Sequence, residues 1–326
     1  MTGFPESGYR ATQERLTIEG NTLFSTVNEK RYGIGELTLP SLRKLRARVP
    51  TLSAGRTSVS SVVGDARALH ADPRFAGATI QVASQFNVLE MTSPDISPEY
   101  GVTRYQTDPT QGPACAIAAG AATIFRNYFV EVDGQAGQTV DRQLDTLAPL
   151  GAALAAALER PVDTLWTMRN GYALCTEQGL SAIAGLLAEY SDTQRDDLRA
   201  DLAVGLQKGV QVTDAPDANQ HVSQVFCSAL PVAYGIRSRT WDPFARLVLE
   251  ASYEATLLCA AQQVAEGGSN IVLLTRVGGG ALGNDDAWID EALARALRLV
   301  EYGGLDVRLV SRGAVHPSSE QLIRTW

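Results

Sequence analysis

Ile271-Val-Leu-Leu-Thr275, then Gly278-Gly-Gly-Ala-Leu-Gly283, then Asn284-Asp-Asp-Ala-Trp-Ile-Asp290 reads as a buried strand, a glycine loop and the start of a helix. Glycines let a loop turn tightly and approach a ligand without a Cβ, and the first amides of the next helix lack partners at the positive end of its dipole. An anion such as a phosphate fits there. A glycine turn between strand and helix also serves as a plain tight connection, so the loop alone leaves both readings open.

Gly278, Gly280 and Gly283 match G-x-G-x-x-G, the dinucleotide fingerprint, and Asp306 lies about twenty positions on. In that fingerprint the acid closes the second strand, whereas Asp306 opens the segment Leu305-Asp-Val-Arg-Leu-Val310. Too little chain remains for a second nucleotide-binding half, which argues against a Rossmann oxidoreductase.

The 326 residues are 45% hydrophobic and 20% charged, the balance of a globular protein with one large domain or two ordinary ones. A formal net charge of −8 argues against nonspecific binding to nucleic acid or acidic membranes, which needs clustered Lys and Arg. The one basic run, Arg43-Lys-Leu-Arg-Ala-Arg48, reads as a solvated helix face. No N-terminal apolar stretch reads as a signal peptide, and the small-apolar run from Ala114 to Phe125 is too short to span a bilayer. A cytoplasmic protein without membrane contact is expected. Cys115, Cys175, Cys227 and Cys259 are isolated from one another, and His70, His221 and His316 show no ligand spacing. Buried thiols, no metal and no cofactor follow, and no G-x-S-x-G elbow marks a serine hydrolase.

Along the chain, the first twenty residues are polar and expected to be mobile. Asn21 to Glu36 predicts a short strand pair, Pro40 to Arg46 the start of a helix, and Ser58 to Leu69 a helix with Val59, Val62, Val63, Ala66 and Leu69 on one face. Thr79 to Ala83 predicts a buried strand. The loop from Ser84 to Pro113 carries four prolines and several large apolar residues, as a functional loop does. A small-residue helix follows from Pro113 to Arg126, then one from Asp141 to Arg160. A hairpin is predicted around Asn170-Gly171. Helices at Glu177 to Tyr190 and Asp192 to Arg199, strands at Leu202 to Val212 and Val222 to Ala229, and a long helix from Trp241 to Ala265 complete the reading. Strands alternating with helices imply an α/β domain of three layers, with ligands bound outside the carboxyl ends of the strands.

The order of these elements resembles the macrodomain superfamily. The helix around Tyr253-Glu-Ala-Thr-Leu-Leu-Cys-Ala-Ala261, the strand Asn270 to Thr275, the loop Gly278 to Gly283 and the spaced alanines of Trp288 to Leu297 resemble its closing third. Strand Ile80 to Ala83, the polar stretch with Asn87, and Gly112 before an alanine-rich helix resemble its opening unit. The likeness covers about half of the chain. Ala83-Ser-Gln-Phe-Asn87 stands where the family carries N-A-A-N. The adenine-contacting aspartate has no secure counterpart, since Asp65 lies far upstream. The paired glutamates of poly(ADP-ribose) glycohydrolases do not map onto Asp285 and Asp286, which read as dipole-stabilising or capping residues.

The resemblance implies a three-layer α/β/α mixed-sheet fold, with an N-terminal extension over 1–50, a macrodomain-like domain over 51–326 and a helical insertion at about 133–220. It implies ADP-ribose, or an ADP-ribosylated substrate, as the partner. Gly278, Gly279, Gly280, Ala281, Leu282, Gly283 and Asn284 would cradle one phosphate and Gly112 another, with Asn87, Phe86 and Gln111 near ribose or base. Neutral amides hold an anion by local dipoles, so the net charge is no objection. Arg104 and Arg276 are either charged contacts or structurally paired, and Phe86 and Tyr105 are stacking or core residues. Glu90, in apolar company, is the first catalytic candidate, with Asp108 second. A carboxylate whose pKa is raised by an apolar pocket can activate water. The same Glu90 fits a buried structural role, so two functions remain: hydrolysis of an ADP-ribosyl linkage, or a nucleotide-sensing module without chemistry.

Overall fold

The computed structural model describes residues 1–49, 52–236 and 239–326. The expected boundary at residues 50 and 51 lies outside the described residues. The polar N-terminus, expected to be mobile, holds helix α1 (Tyr9–Gln13) and strand β1 (Leu16–Glu19). Tyr9 ties it down, its hydroxyl lying 2.7 Å from the carbonyl oxygens of both Asn127 and Gln138, which share its one donor. Strand β1 continues into β2 (Thr22–Ser25) and β3 (Arg31–Gly33) as a small antiparallel sheet. Then come β4 (Glu36–Thr38), α2 (Leu42–Arg48), β5 (Ser58–Val63) and α3 (Ala66–Ala71).

The helix predicted from Ser58 to Leu69 is thus a strand followed by a short helix. Valines at 59, 62 and 63 satisfy helical spacing, but they are β-branched, and the segment pairs residue for residue with Asp306 to Ser311. A partner so distant in sequence decided the matter. Gly64 ends the strand, and the Asp65 side chain caps α3 by accepting from the Arg67 amide.

The chain continues through β6 (Thr79–Ala83), α4 (Gln111–Ala118) and α5 (Gly120–Tyr128). The single helix expected from Pro113 to Arg126 breaks at Ala119, whose φ of −111° and ψ of 54° are not helical. Next are β7 (Glu131–Val132), β8 (Gln135–Ala136), α6 (Ala148–Leu158), β9 (Trp166–Arg169) and β10 (Tyr172–Cys175). Helix α6 begins seven residues after Asp141, because Gln143 and Asp145 are spent on loop hydrogen bonds before it. The hairpin β9–β10 turns at Asn170 and Gly171, both with positive φ, as the Asn-Gly pair requires. Helices α7 (Glu177–Glu189) and α8 (Asp192–Asp201), strands β11 (Gly205–Gln211) and β12 (His221–Cys227), and helix α9 (Trp241–Ala265) follow. The chain closes with β13 (Ile271–Leu274), α10 (Asp286–Leu299), β14 (Asp306–Ser311) and α11 (Pro317–Thr325).

Seven strands form the central sheet in the order β4-β11-β12-β6-β13-β14-β5. From β12 to β5 every pairing is parallel, while β11 runs antiparallel to both its neighbours. Alternate side chains enter opposite cores, as a two-residue period dictates. Val225, Cys227, Val272 and Leu274 pack with α9, α10 and the helices α6 to α8, whereas Ile80, Val222 and Leu273 pack with Leu69 of α3 and Ala119 and Ala122 beside α4 and α5. The fold is therefore α/β with three layers around a mixed sheet. The small β1–β3 sheet packs through Leu16 and Leu23 onto Ala121, Ile124 and Tyr128 of α5. Strand β11, inside the segment 133–220, belongs to the central sheet, while α7 and α8 pack on α9 and α6 packs on both of them. Among the described residues, no helix is long and apolar enough to cross a membrane.

Candidate functional site

Because β5, β6, β12, β13 and β14 are parallel, their carboxyl ends share one edge of the sheet. A cleft of about 470 Å³ opens there. Its banks are the long loop after β6, closing on the start of α4, and the glycine loop after β13.

Both loops approach closely enough to need glycine. A Cβ on Gly112 would lie 2.2 Å from the Ala83 carbonyl oxygen, so α4 begins pressed against the end of β6. Gly278 has φ of +83°, and a Cβ there would meet that of Ala229 at 2.4 Å. Asn284 holds the loop shut, its amide donating to the Leu230 carbonyl at 2.8 Å and to that of Gly278 at 3.3 Å. The backbone bonds of this loop use the amides of Gly279, Gly283 and Asn284. Those of Gly280, Ala281 and Leu282 have no partner among the described residues, and all three residues line the cleft. Across from them, Gln111 and Gly112 open α4, where amides have no intrahelical acceptor. Residues with unpartnered backbone amides thus line both banks of one cavity.

Glu90 forms part of the same wall, 1% exposed. One carboxylate oxygen accepts from Arg126 at 3.0 Å, while Oε2 has no partner among the described residues. Arg126 is itself fully buried. It donates to the Val88 carbonyl, Gln207 and Thr123, and its guanidinium lies 4.0 Å from the centre of the Phe226 ring. Burial pushes the Glu90 carboxyl up to about 7, against the opposing pull of Arg126. Burial likewise pushes the Tyr105 phenol well above its usual range, and Glu90 adds to the shift.

The structure brings Glu90, Asp108, Gln111, Gly112, Gly278, Gly280, Ala281 and Leu282 together around the cavity. Gln111 is already engaged there. Its oxygen accepts from the Ala83 amide at 2.7 Å and its nitrogen donates to the Gln81 carbonyl at 2.9 Å, so it ties α4 to β6. Asp108 accepts from the amide and hydroxyl of Thr110. Gly279, Gly283 and Asn284 shape the second loop from behind the cleft wall.

Asn87 and Phe86 do not reach the cavity. The chain turns at Val88, with φ of 62°, and sends Asn87 inward, where it donates to Gln143 at 2.8 Å and accepts from the Leu89 amide at 3.1 Å. Phe86 enters the main core with Leu147 and Trp166, and Tyr105 a smaller one with Leu89 and Met91. Arg276 lines the cleft but is paired with Asp286 and Asp290, both at 2.5–2.6 Å. Arg104 lies over the Tyr100 ring. Asp285 caps α10 by accepting from the Ala287 amide at 2.8 Å.

The sequence reading set Asp65 aside as too far upstream and did not weigh Tyr172, Tyr234 or Arg312, yet all of these line the cleft. A glycine and a capping aspartate after a run of valines marked the end of β5, a signal hidden by the helical assignment. Tyr172 and Tyr234 come from the hairpin and from the turn after β12, and their rings sit 5.3 Å apart at 58°. Nothing local to either segment signals that they meet. Among the described residues, no three His, Cys, Asp or Glu side chains are grouped as a metal ion requires.

No family model matches the sequence, and neither does any curated protein. The chain is similar in fold to solved poly(ADP-ribose) glycohydrolase structures. One from Deinococcus radiodurans, in complex with ADP-ribose, is 12% identical, with 89% of this chain and 93% of that chain covered at a TM-score of 0.45. Another, from Thermomonospora curvata and bound to the inhibitor ADP-HPD, is 12% identical, with 97% and 95% covered at a TM-score of 0.43. At those values the likeness assigns no activity.

Proposed function

We propose that this cleft binds ADP-ribose or a closely related nucleotide diphosphate. The observation that carries the reading is the pair of free amide groups, at Gly280 to Leu282 and at Gln111 to Gly112, on opposite banks of one cavity. Neutral donors of this kind suit two linked phosphates in a protein of net charge −8. The lining also includes Asp65 and Arg312, after the adjacent strands β5 and β14, and Tyr172 and Tyr234, the latter after β12 on the other side of β6 and β13. That leaves room for a base on one side of the diphosphate and a sugar on the other. The four cysteines are buried and unpaired, which fits a reducing compartment such as the cytoplasm.

Calorimetric titration with ADP-ribose tests the reading. Gly280 has open space where a Cβ would go, so Gly280→Glu should fold normally while placing a carboxylate against the diphosphate. Affinity should fall at least tenfold. No binding to the wild type at millimolar ADP-ribose would refute the proposal.

Our reading extends to hydrolysis of an ADP-ribosyl linkage, with Glu90 as the group that activates water. Support comes from a carboxyl on the cleft wall with one unpartnered oxygen and a pKa moved to about 7, the range in which a carboxylate acts as base near neutrality. Asp108, at the same wall, is the second candidate. Glu90→Gln should abolish turnover of an ADP-ribosylated substrate with ADP-ribose affinity retained, and Glu90→Asp, which keeps the charge, should recover part of it. Full turnover in Glu90→Gln would remove Glu90 from the chemistry and leave it only as the counter-ion of Arg126, whereas ADP-ribose binding with no turnover by the wild type would leave a binding module.

A further inference from the structure

We propose that Arg312 is the base-clamping residue of the cleft, its flat guanidinium lying against the face of the ligand's purine ring. The inference rests on the nucleotide reading above and adds the residue that selects the base. Strands β5 and β14 are adjacent and parallel, so Gly64, Asp65 and Ala66 after one and Arg312 after the other form a common end of the cleft. Val310 contributes an apolar side to that end, and Gly64 and Ala66 add little bulk. These small and apolar residues are compatible with a flat ring at that end.

Arg312 spans this end of the cleft. Its Nη1 donates to the Pro109 carbonyl on the opposite bank at 2.7 Å, and its Nε lies 3.9 Å from the Asp65 carboxylate. The side chain is 68% exposed and lines the cleft, so it is accessible to a ligand bound there. Arg276, also on the cleft wall, is 18% exposed and held by two aspartates. A guanidinium stacks on aromatic faces and an ammonium does not reproduce this, which separates a stacking role from a purely ionic one.

The experiment compares wild type, Arg312→Ala and Arg312→Lys by calorimetry with ADP-ribose, ADP, ribose 5-phosphate and inorganic pyrophosphate. Both variants should bind ADP-ribose and ADP about tenfold more weakly, with ribose 5-phosphate and pyrophosphate unchanged. Wild-type affinity for ADP-ribose in both variants would overturn the clamp and leave the nucleotide reading standing. Wild-type affinity in Arg312→Lys alone, or an equal loss for the ligands without a base, would also overturn it, in favour of an ionic contact to phosphate. A wild-type protein that binds no ADP-ribose would remove both.

Discussion

The carboxylate of Glu90 and the guanidinium of Arg126 meet 3.0 Å apart with neither side chain exposed to solvent. A pair so buried recovers little more than its desolvation cost, whereas removing one partner leaves an uncompensated charge. Glu90→Gln keeps a carbonyl oxygen for Arg126 but removes the counter-charge, and a loss of ~3 kcal/mol is expected. Urea unfolding checks this. A loss below about 0.5 kcal/mol, as at an ordinary surface site, would show that the ion pair does not hold the wall of the cleft.

The same carboxyl makes stability depend on pH. Its pKa is raised from 4.5 to about 7, so the folded protein binds the proton more tightly than the unfolded chain. That contribution is fully present below about 4.5, declines as pH rises through 7, and is absent above. Unfolding free energy measured between these limits should lose this falling component in Glu90→Gln. An unchanged slope would mean that Glu90 titrates at its ordinary value.

His70 acts in the opposite sense. It is fully buried, with Nδ1 2.7 Å from the Ala66 carbonyl and Nε2 3.0 Å from the Gln224 amide nitrogen, which together define a neutral ring. Burial lowers its pKa from 6.5 to about 4. Stability from this residue is present above 6.5 and is lost as pH falls through about 4. His70→Asn should flatten the acid limb of the pH profile. A variant that loses stability in acid as steeply as the wild type would exclude His70 as the source.

The two ends of the glycine run should respond differently to one methyl group. Gly278→Ala meets both a positive φ and Ala229, and a cost of about 1–3 kcal/mol is expected. Gly280→Ala enters open space and should stay within ~0.5 kcal/mol of wild type. Thermal unfolding of the two variants decides it, and equal stability would contradict the tight seating of Gly278.

Ile271 to Leu274, Trp241 to Ala265 and the Asn170-Gly171 turn were legible in the chain because their signals are local: an apolar run, a long uninterrupted helical stretch, and a residue pair that tolerates positive φ. Of the candidate site, the glycine loops, Glu90 and Asp108 were legible for a similar reason, since small residues and an acid in apolar company announce themselves. Asn87 was not, because the direction of its side chain depends on the turn at Val88 and on Gln143, far along the chain.

By itself, the sequence determined the alternation of strand and helix, and with it a layered α/β domain whose loops at the carboxyl ends of the strands were the place to expect a cleft. Tertiary structure alone decided that Ser58 to Val63 is a strand, that Arg126 reaches Glu90, and that Asp65, Tyr172, Tyr234 and Arg312 line one cleft. The physical reason is range. Backbone preference and hydrophobic period act over a few residues, whereas sheet pairing and the meeting of side chains join segments up to about 250 positions apart, and their energies exist only once the chain has closed.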